Sequence, residues 1–423
     1  MKKLSFLWAC LFLSLLFTTD AFAAVDNSTR IFNPRFQTLR LSRTDDPLSL
    51  PVITLNGKDT LTLSFDEIGD DYSDNLQYSI THCNADWQPS RLIESEYLDG
   101  FNYIDIDDYA FSSNTYIHYV NYSVRIPSPD LQIKMSGNYI LKVFPRENPD
   151  DTILQARFRV TEQTAAISGF TSGRTDRGIN TNWQQLDFKV SVSPTEVQSP
   201  LSDLIVMVTQ NDRPETTRRI MRPMRQEGST LVYSHIPELI FNAGNEYRRF
   251  ETVRNDYPGM GVDSIRYIAP NYHAFLSPDY ARTDSEYSYD CTQHGRFMID
   301  EYNSTDPNLG ADYITVHFAL DLPEINNAEI YVEGDLALRR FDERNKMKYN
   351  PYSGRYELAL PLKQGSYNYQ YVIKTADGKT FTHSPIEGDF SDTSNVYTVD
   401  VYLRTPSSRG DRLIGSANIL STP

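Results

Sequence analysis

The groups that could do chemistry in this chain are few, and their spacing is unhelpful to it. His82 and Cys83 are adjacent, and adjacent residues on a strand point to opposite faces, so the pair cannot easily ligate one ion. His118, His235, His273, His294, His317 and His383 show no His-x-His or His-x3-His spacing, and no metal site is expected. Carboxylates cluster at Asp66-Glu67, Asp70-Asp71, Asp105 to Asp108 and Asp150-Asp151. A calcium loop would add a central glycine and a distal glutamate, which are missing, so these acids read as solvated loop residues. No Gly-x-Ser-x-Gly elbow is present, and a glycosidase pair cannot be chosen by counting acids. No catalytic residue and no cofactor-binding residue is assigned.

Two features suit recognition better than turnover. A basic run, Arg213 followed by Arg218, Arg219, Arg222 and Arg225, interrupts a chain of net charge −16. Such a run could dock on an acidic patch of a partner, Arg218, Arg219, Arg222 and Arg225 being the contact candidates. The plainer reading is the solvent side of a hairpin whose inner residues are Ile220 and Met224. The second feature is the tyrosine-rich C-terminal third, where Tyr367, Tyr369 and Tyr371 alternate; they read as a sugar-stacking platform or, more simply, as core filling. The acidic charge repels phosphate backbones and anionic head groups, so nucleic acid is not an expected partner.

The N-terminus sets the compartment. Lys2 and Lys3 precede an apolar run from Leu4 to Phe17, and Ala21-Phe22-Ala23 follows as a small-x-small site. This is the pattern of a cleaved signal peptide over residues 1–23, and the run is shorter than the roughly 20 residues of a membrane span. Cys83 and Cys291 then remain in an oxidising compartment, where one bridge is possible and two buried free thiols are the expectation. Trp87 is expected to be buried as an anchor of the first domain, its truncation costing about 3–5 kcal/mol.

Those residues sit on a chain whose hydrophobic period is two. Leu61, Leu63 and Phe65 alternate with polar residues, as do Leu186 to Val192, Ile314 to Leu320, Tyr356 to Leu362, Tyr367 to Ile373 and Tyr397 to Leu403. Asn56-Gly57, Ser353-Gly354, Gln364-Gly365 and Asp377-Gly378 read as the turns between them. Short strands separated by turn signals predict an all-β protein of about three consecutive immunoglobulin-like sandwiches, without a nucleotide-binding α/β unit. The stretches Thr161 to Thr181 and Asp300 to Asp312 have boundary-like composition. The expected division is 24–163, 164–305 and 306–404, with a polar tail over 405–423 that is either loose or laid along a neighbouring domain.

Particular phrases carry a family likeness. His82-Cys83-Asn84-Ala85-Asp86-Trp87, Tyr97-Leu98-Asp99-Gly100-Phe101-Asn102, Gly244-Asn245-Glu246-Tyr247-Arg248 and Gly410-Asp411-Arg412-Leu413-Ile414-Gly415 resemble, in order and along nearly the whole chain, the type IX secretion system plug protein family. That resemblance implies a periplasmic, non-catalytic β protein that occludes the outer-membrane translocon barrel, with the barrel as partner and no small-molecule substrate. The segment from about Ala311, with Val332-Glu333-Gly334-Asp335, also resembles immunoglobulin-like starch-binding modules. It departs from them where a sugar site would be, since Leu336-Ala337-Leu338 follows and no tryptophan does. Periplasmic or surface glycan binding is the alternative this second resemblance implies.

Overall fold

The computed structural model describes residues 26–69 and 75–421, so the expected signal peptide and the Asp70-Asp71 pair lie outside the described residues. Among the described residues the chain builds three large hydrophobic cores, each between two sheets, and a small fourth cluster, Ala85 with Ile205, Tyr402 and Leu413. In the first sandwich the sheet Phe36–Arg43, Leu61–Ile68, Tyr119–Ile126 and Tyr109–Phe111 packs on a six-stranded sheet that contains Leu76–Cys83, Gly137–Pro145 and Leu154–Thr161. The period-two pattern acts here directly. Leu61, Leu63 and Phe65 are fully buried, and pairing of Phe65 with Tyr122 stacks their rings at 5.1 Å.

The second sandwich sets Ala166–Ser172, Trp183–Ser191, Thr230–Tyr233 and Arg225–Glu227 against Arg218–Ile220, Leu204–Gln210, Val396–Leu403 and Arg412–Leu420. The third contains Arg248–Glu251, Val262–Ile268, Asn271–Leu276, Tyr313–Asp321, Arg355–Lys363 and Gly365–Thr375.

The grouping differs from the expected division. The third sandwich is inserted into the second: Val206 pairs with Val401, and Leu204 with Leu403, across nearly two hundred residues. The Arg412–Leu420 segment is therefore an edge strand with Leu413 and Ile414 buried, not a loose tail. Thr161 to Thr181 contains the strand Ala166–Ser172, and Asp300 to Asp312 lies inside the third sandwich, where Pro307–Gly310 forms a short helix capped by Asp306. Gln364-Gly365 is no hairpin turn. It is a corner at which the chain leaves one sheet for the other, and a Cβ on Gly365 would meet the Met298 carbonyl at 2.2 Å.

Each sandwich touches the other two, closing a triangle. Tyr119 of the first donates to the Ala311 carbonyl of the third at 2.8 Å, and Tyr402 of the second donates to Asn138 of the first at 2.8 Å. Arg213 of the second donates to His383 of the third at 3.2 Å.

Candidate functional site

The basic run crosses from one sheet of the second sandwich to the other. Arg218–Ile220 and Arg225–Glu227 are the outermost strands of their sheets on the same side, so residues 218–227 form the open edge of that sandwich. The structure divides the four arginines. Arg218 donates to the carbonyls of Glu238 (2.7 Å) and Ile240 (2.9 Å) and lies 3.9 Å over the Phe241 ring. Burial pushes its pKa down, and it belongs to the framework. Arg225 is exposed and held by Glu227, while Arg219 and Arg222 are exposed and have no polar side-chain partner among the described residues. Ile220 points inward, but Met224 does not: Met221 and Met224 are 70% and 44% exposed. An unpaired strand edge guarded by guanidinium groups resists casual strand addition, and the thioethers beside them give an adaptable contact surface.

Arg213 takes no part in that face. It is buried, with Nε 2.8 Å from Glu215.

Trp87 is a correction. It is half-buried, in a left-handed turn at φ 63°, outside the first core, with its carbonyl accepting from Asn27 at 2.8 Å and its ring 4.5 Å from the Arg157 guanidinium. Cys83 and Cys291 are both free; Cys83 is buried, but Cys291 is exposed, against the expectation of two buried thiols. Tyr367, Tyr369 and Tyr371 are 2%, 3% and 0% exposed, and their hydroxyls bond to Lys363 and Asp279, so they fill the core and offer no sugar platform. His273 and His317 do meet, at 2.9 Å, through the parallel pairing of their strands; no cluster of three or more metal-ligating groups exists among the described residues.

Sequence reasoning missed the polar locks inside the triangle. Asp66, taken as a solvated acid, and Lys363 are both fully buried and lie 2.8 Å apart between the first and third sandwiches. Asp66 also accepts from Tyr313 and Asn121, each at 2.7 Å, and Lys363 donates to the Asn308 carbonyl at 2.6 Å and sits 4.0 Å over the Tyr119 ring. Burial pushes the Lys363 pKa down, with Asp66 opposing it. Between the first and second sandwiches, buried Arg159 bonds to buried Asp400, and Asp411 accepts from the Ala85 amide at 2.9 Å. The glycine of Ser136-Gly137-Asn138 fits this seam: at φ 149° it leaves no room for a Cβ, which would meet His82 at 2.2 Å and the Asp411 carbonyl at 3.0 Å. A second exposed patch lies on the first–third seam, where the rings of Tyr116, Tyr267 and Tyr272 touch one another at 5.2 to 5.5 Å.

Fold and surface together define a class: a multi-sandwich β protein with buried ion pairs within and between its domains and an exposed edge that suits protein contact. The sequence model for the type 9 secretion system plug protein 1st domain matches residues 36–162. A hypothetical protein from Parabacteroides merdae ATCC 43184 is similar over the rest as well, at 37% identity over 93% of this chain and 99% of its own, with a TM-score of 0.91. The chain belongs to the type IX secretion system plug protein family. The collagen adhesin of S. aureus, at 9% identity over 93% of this chain and 95% of its own, reaches a TM-score of only 0.11 and supports no argument. No curated protein matches. Family membership brings a plug-related role in type IX secretion, association with components of that system and an envelope location; the family is structural and non-catalytic. No helix among the described residues is long and apolar enough to cross a membrane.

Proposed function

We propose that this protein is a periplasmic plug that occludes the outer-membrane translocon pore of the type IX secretion system, acting by bulk and fit. The observation that carries this reading is the closed triangle, in which each sandwich is fastened to the other two by buried polar contacts. A compact body of this length has a radius of gyration of about 21 Å, hence a width of roughly 50 Å, the scale needed to stop a barrel wide enough for folded cargo. Three sandwiches on flexible linkers would leak; a braced body would not. The barrel lumen is polar, and a mean hydropathy of −0.48 suits a wet contact that seals and still releases. Arg219, Arg222, Met221 and Met224 are the contact residues this reading favours.

The test is recovery of a very large barrel protein with the tagged chain from detergent-solubilised outer membranes, paired with antibiotic uptake in cells that lack the chain. Deletion should make the envelope leaky. Arg219→Glu with Arg222→Glu should lower recovery of the barrel without moving the melting temperature. Absence of any barrel in the eluate, together with an undisturbed permeability barrier, would end the plug reading.

A further inference from the structure

Where the three sandwiches meet, a cavity of about 410 Å³ opens, within the range of sites for small ligands. The first sandwich gives it Arg40, Asp86, Arg157 and Arg159, the second Asp212 and Asp400, the third Arg296, Asp335 and Arg339. Five arginines line it against four aspartates, and the pairing among them is uneven. Arg159 is taken by Asp400, with Asp212 4.0 Å away, and Arg339 is taken by Glu333 (2.7 Å) and Asp335 (2.6 Å). Arg157 has no carboxylate in hydrogen-bond contact, Asp26 and Asp212 acting on it from farther off: its Nε donates to the Asn27 carbonyl at 2.6 Å, and its guanidinium lies over the Trp87 face. Arg296 has no side-chain hydrogen bond or ion pair among the described residues.

Asp212 is the carboxylate that Arg157, Arg159, Arg296 and Arg339 all act upon, and burial nonetheless pushes its pKa up. Burial lowers Arg157 to about 10, so it remains a cation at neutral pH. A half-buried cation without a bonded carboxylate can take a counter-charge from a ligand. Trp87 adds a second sign of construction. A bulky residue at φ 63° costs on the order of 1–2 kcal/mol, and here the strained turn puts an indole at the cavity wall against Arg157.

We propose that this junction cavity binds a small organic anion, bearing carboxylate or phosphate, through Arg157 and Arg296. Because those two residues belong to different sandwiches, an anion between them fastens the third sandwich to the first. The site is independent of what the outer surface docks against.

The experiment is isothermal titration calorimetry and thermal melting of the exported chain, with citrate as the carboxylate probe and glucose 6-phosphate as the phosphate probe, at an ionic strength matched with sodium chloride. The expected result is a saturable heat and a rise in melting temperature with at least one probe, since a ligand of the folded state stabilises it by mass action. A response to citrate alone or to the phosphate alone identifies the source of the anion. Arg296→Gln should weaken the response at least tenfold, and Arg157→Gln likewise; Arg219→Gln with Arg222→Gln should leave it unchanged. If Arg157→Gln does not fold, Arg296→Gln, whose side chain carries no framework contact, decides alone. No response beyond matched chloride, or wild-type binding by Arg296→Gln, would overturn the proposal.

Discussion

Removing Asp66 should cost more than removing Lys363, although the two form one ion pair. Asp66→Ala leaves an ammonium group at 0% exposure with one carbonyl and one ring face, and it takes the acceptor from Tyr313 and Asn121 as well. Breaking a buried pair costs about 3–5 kcal/mol, and the ammonium left without its carboxylate places this variant in that range even though Asn121 keeps Ser64 and Tyr313 keeps Thr38 as partners. Lys363→Met leaves the carboxylate with both of those donors, Tyr313 and Asn121, so about 3 kcal/mol is expected. The double variant Asp66→Ala with Lys363→Met removes both members of the pair, leaves Arg40 as the cation that has lost the Asp66 charge, and should still cost under the sum, with a coupling of about 2 kcal/mol or more. Urea unfolding of the four proteins measures this cycle, and limited proteolysis should show cleavage near residues 300–312 appearing first in Asp66→Ala. Single costs below about 1 kcal/mol, or costs that add within about 0.5 kcal/mol, would refute the claim that this pair locks the first sandwich to the third.

Other consequences are shorter to state. Trp87→Ala should cost about 1–2 kcal/mol, less than a core truncation, and Trp87→Gly should cost less still because glycine accepts the left-handed turn; chemical denaturation ranks them. A thiol reagent should label Cys291 in the native, unreduced protein and Cys83 only after unfolding, since burial pushes the Cys83 thiol up to about 12; mass spectrometry counts the labels. Burial raises the Glu387 carboxyl, but Arg248 and Arg282 more than reverse this and hold it at about 2. A depressed folded pKa gives stability that is present above the unfolded value near 4.5 and lost as pH falls toward 2. Glu387→Gln should therefore cost about 3 kcal/mol at pH 7, and the deficit should fade between about pH 5 and pH 2 in pH-resolved melting.

What was legible in the sequence was whatever is local. The alternation of Leu61, Leu63 and Phe65, or of Ile314 to Leu320, fixes a strand and its buried face without reference to a partner. Asp377-Gly378 forms a turn because Gly378 takes φ 66° between paired segments. Which sheet a strand joins is a different matter. Val396–Leu403 alternates in a way that suits any sandwich, and only its pairing with Leu204–Gln210 reveals the insertion. Arg412–Leu420 looked polar because Gly415, Ser416, Ala417 and Asn418 dilute the buried Leu413, Ile414 and Ile419. Asp66 could not be told from a loop acid, since its cation lies almost three hundred residues away. Trp87 misled for the opposite reason: its type predicts burial, while a φ of 63° is invisible in composition.

The distribution of charge follows from what a stopper needs. Apolar seams between sandwiches would hold them together at many relative angles, because hydrophobic contact is non-directional. The seams here add to a small apolar cluster of Ala85, Ile205, Tyr402 and Leu413 the pairs Asp66 with Lys363 and Arg159 with Asp400, which are costly when misaligned and satisfied at one docking angle. A fixed angle means a fixed outline, and under the plug reading the outline is the working part. The outer edge carries the reverse arrangement, Met221 and Met224 between exposed guanidinium groups, where contact is soft, wet and reversible. Rigidity within and adaptability without are separable by mutation: Asp66→Ala should loosen the body and leave the edge intact, whereas Arg219→Glu with Arg222→Glu should spoil the edge of a body that melts as before.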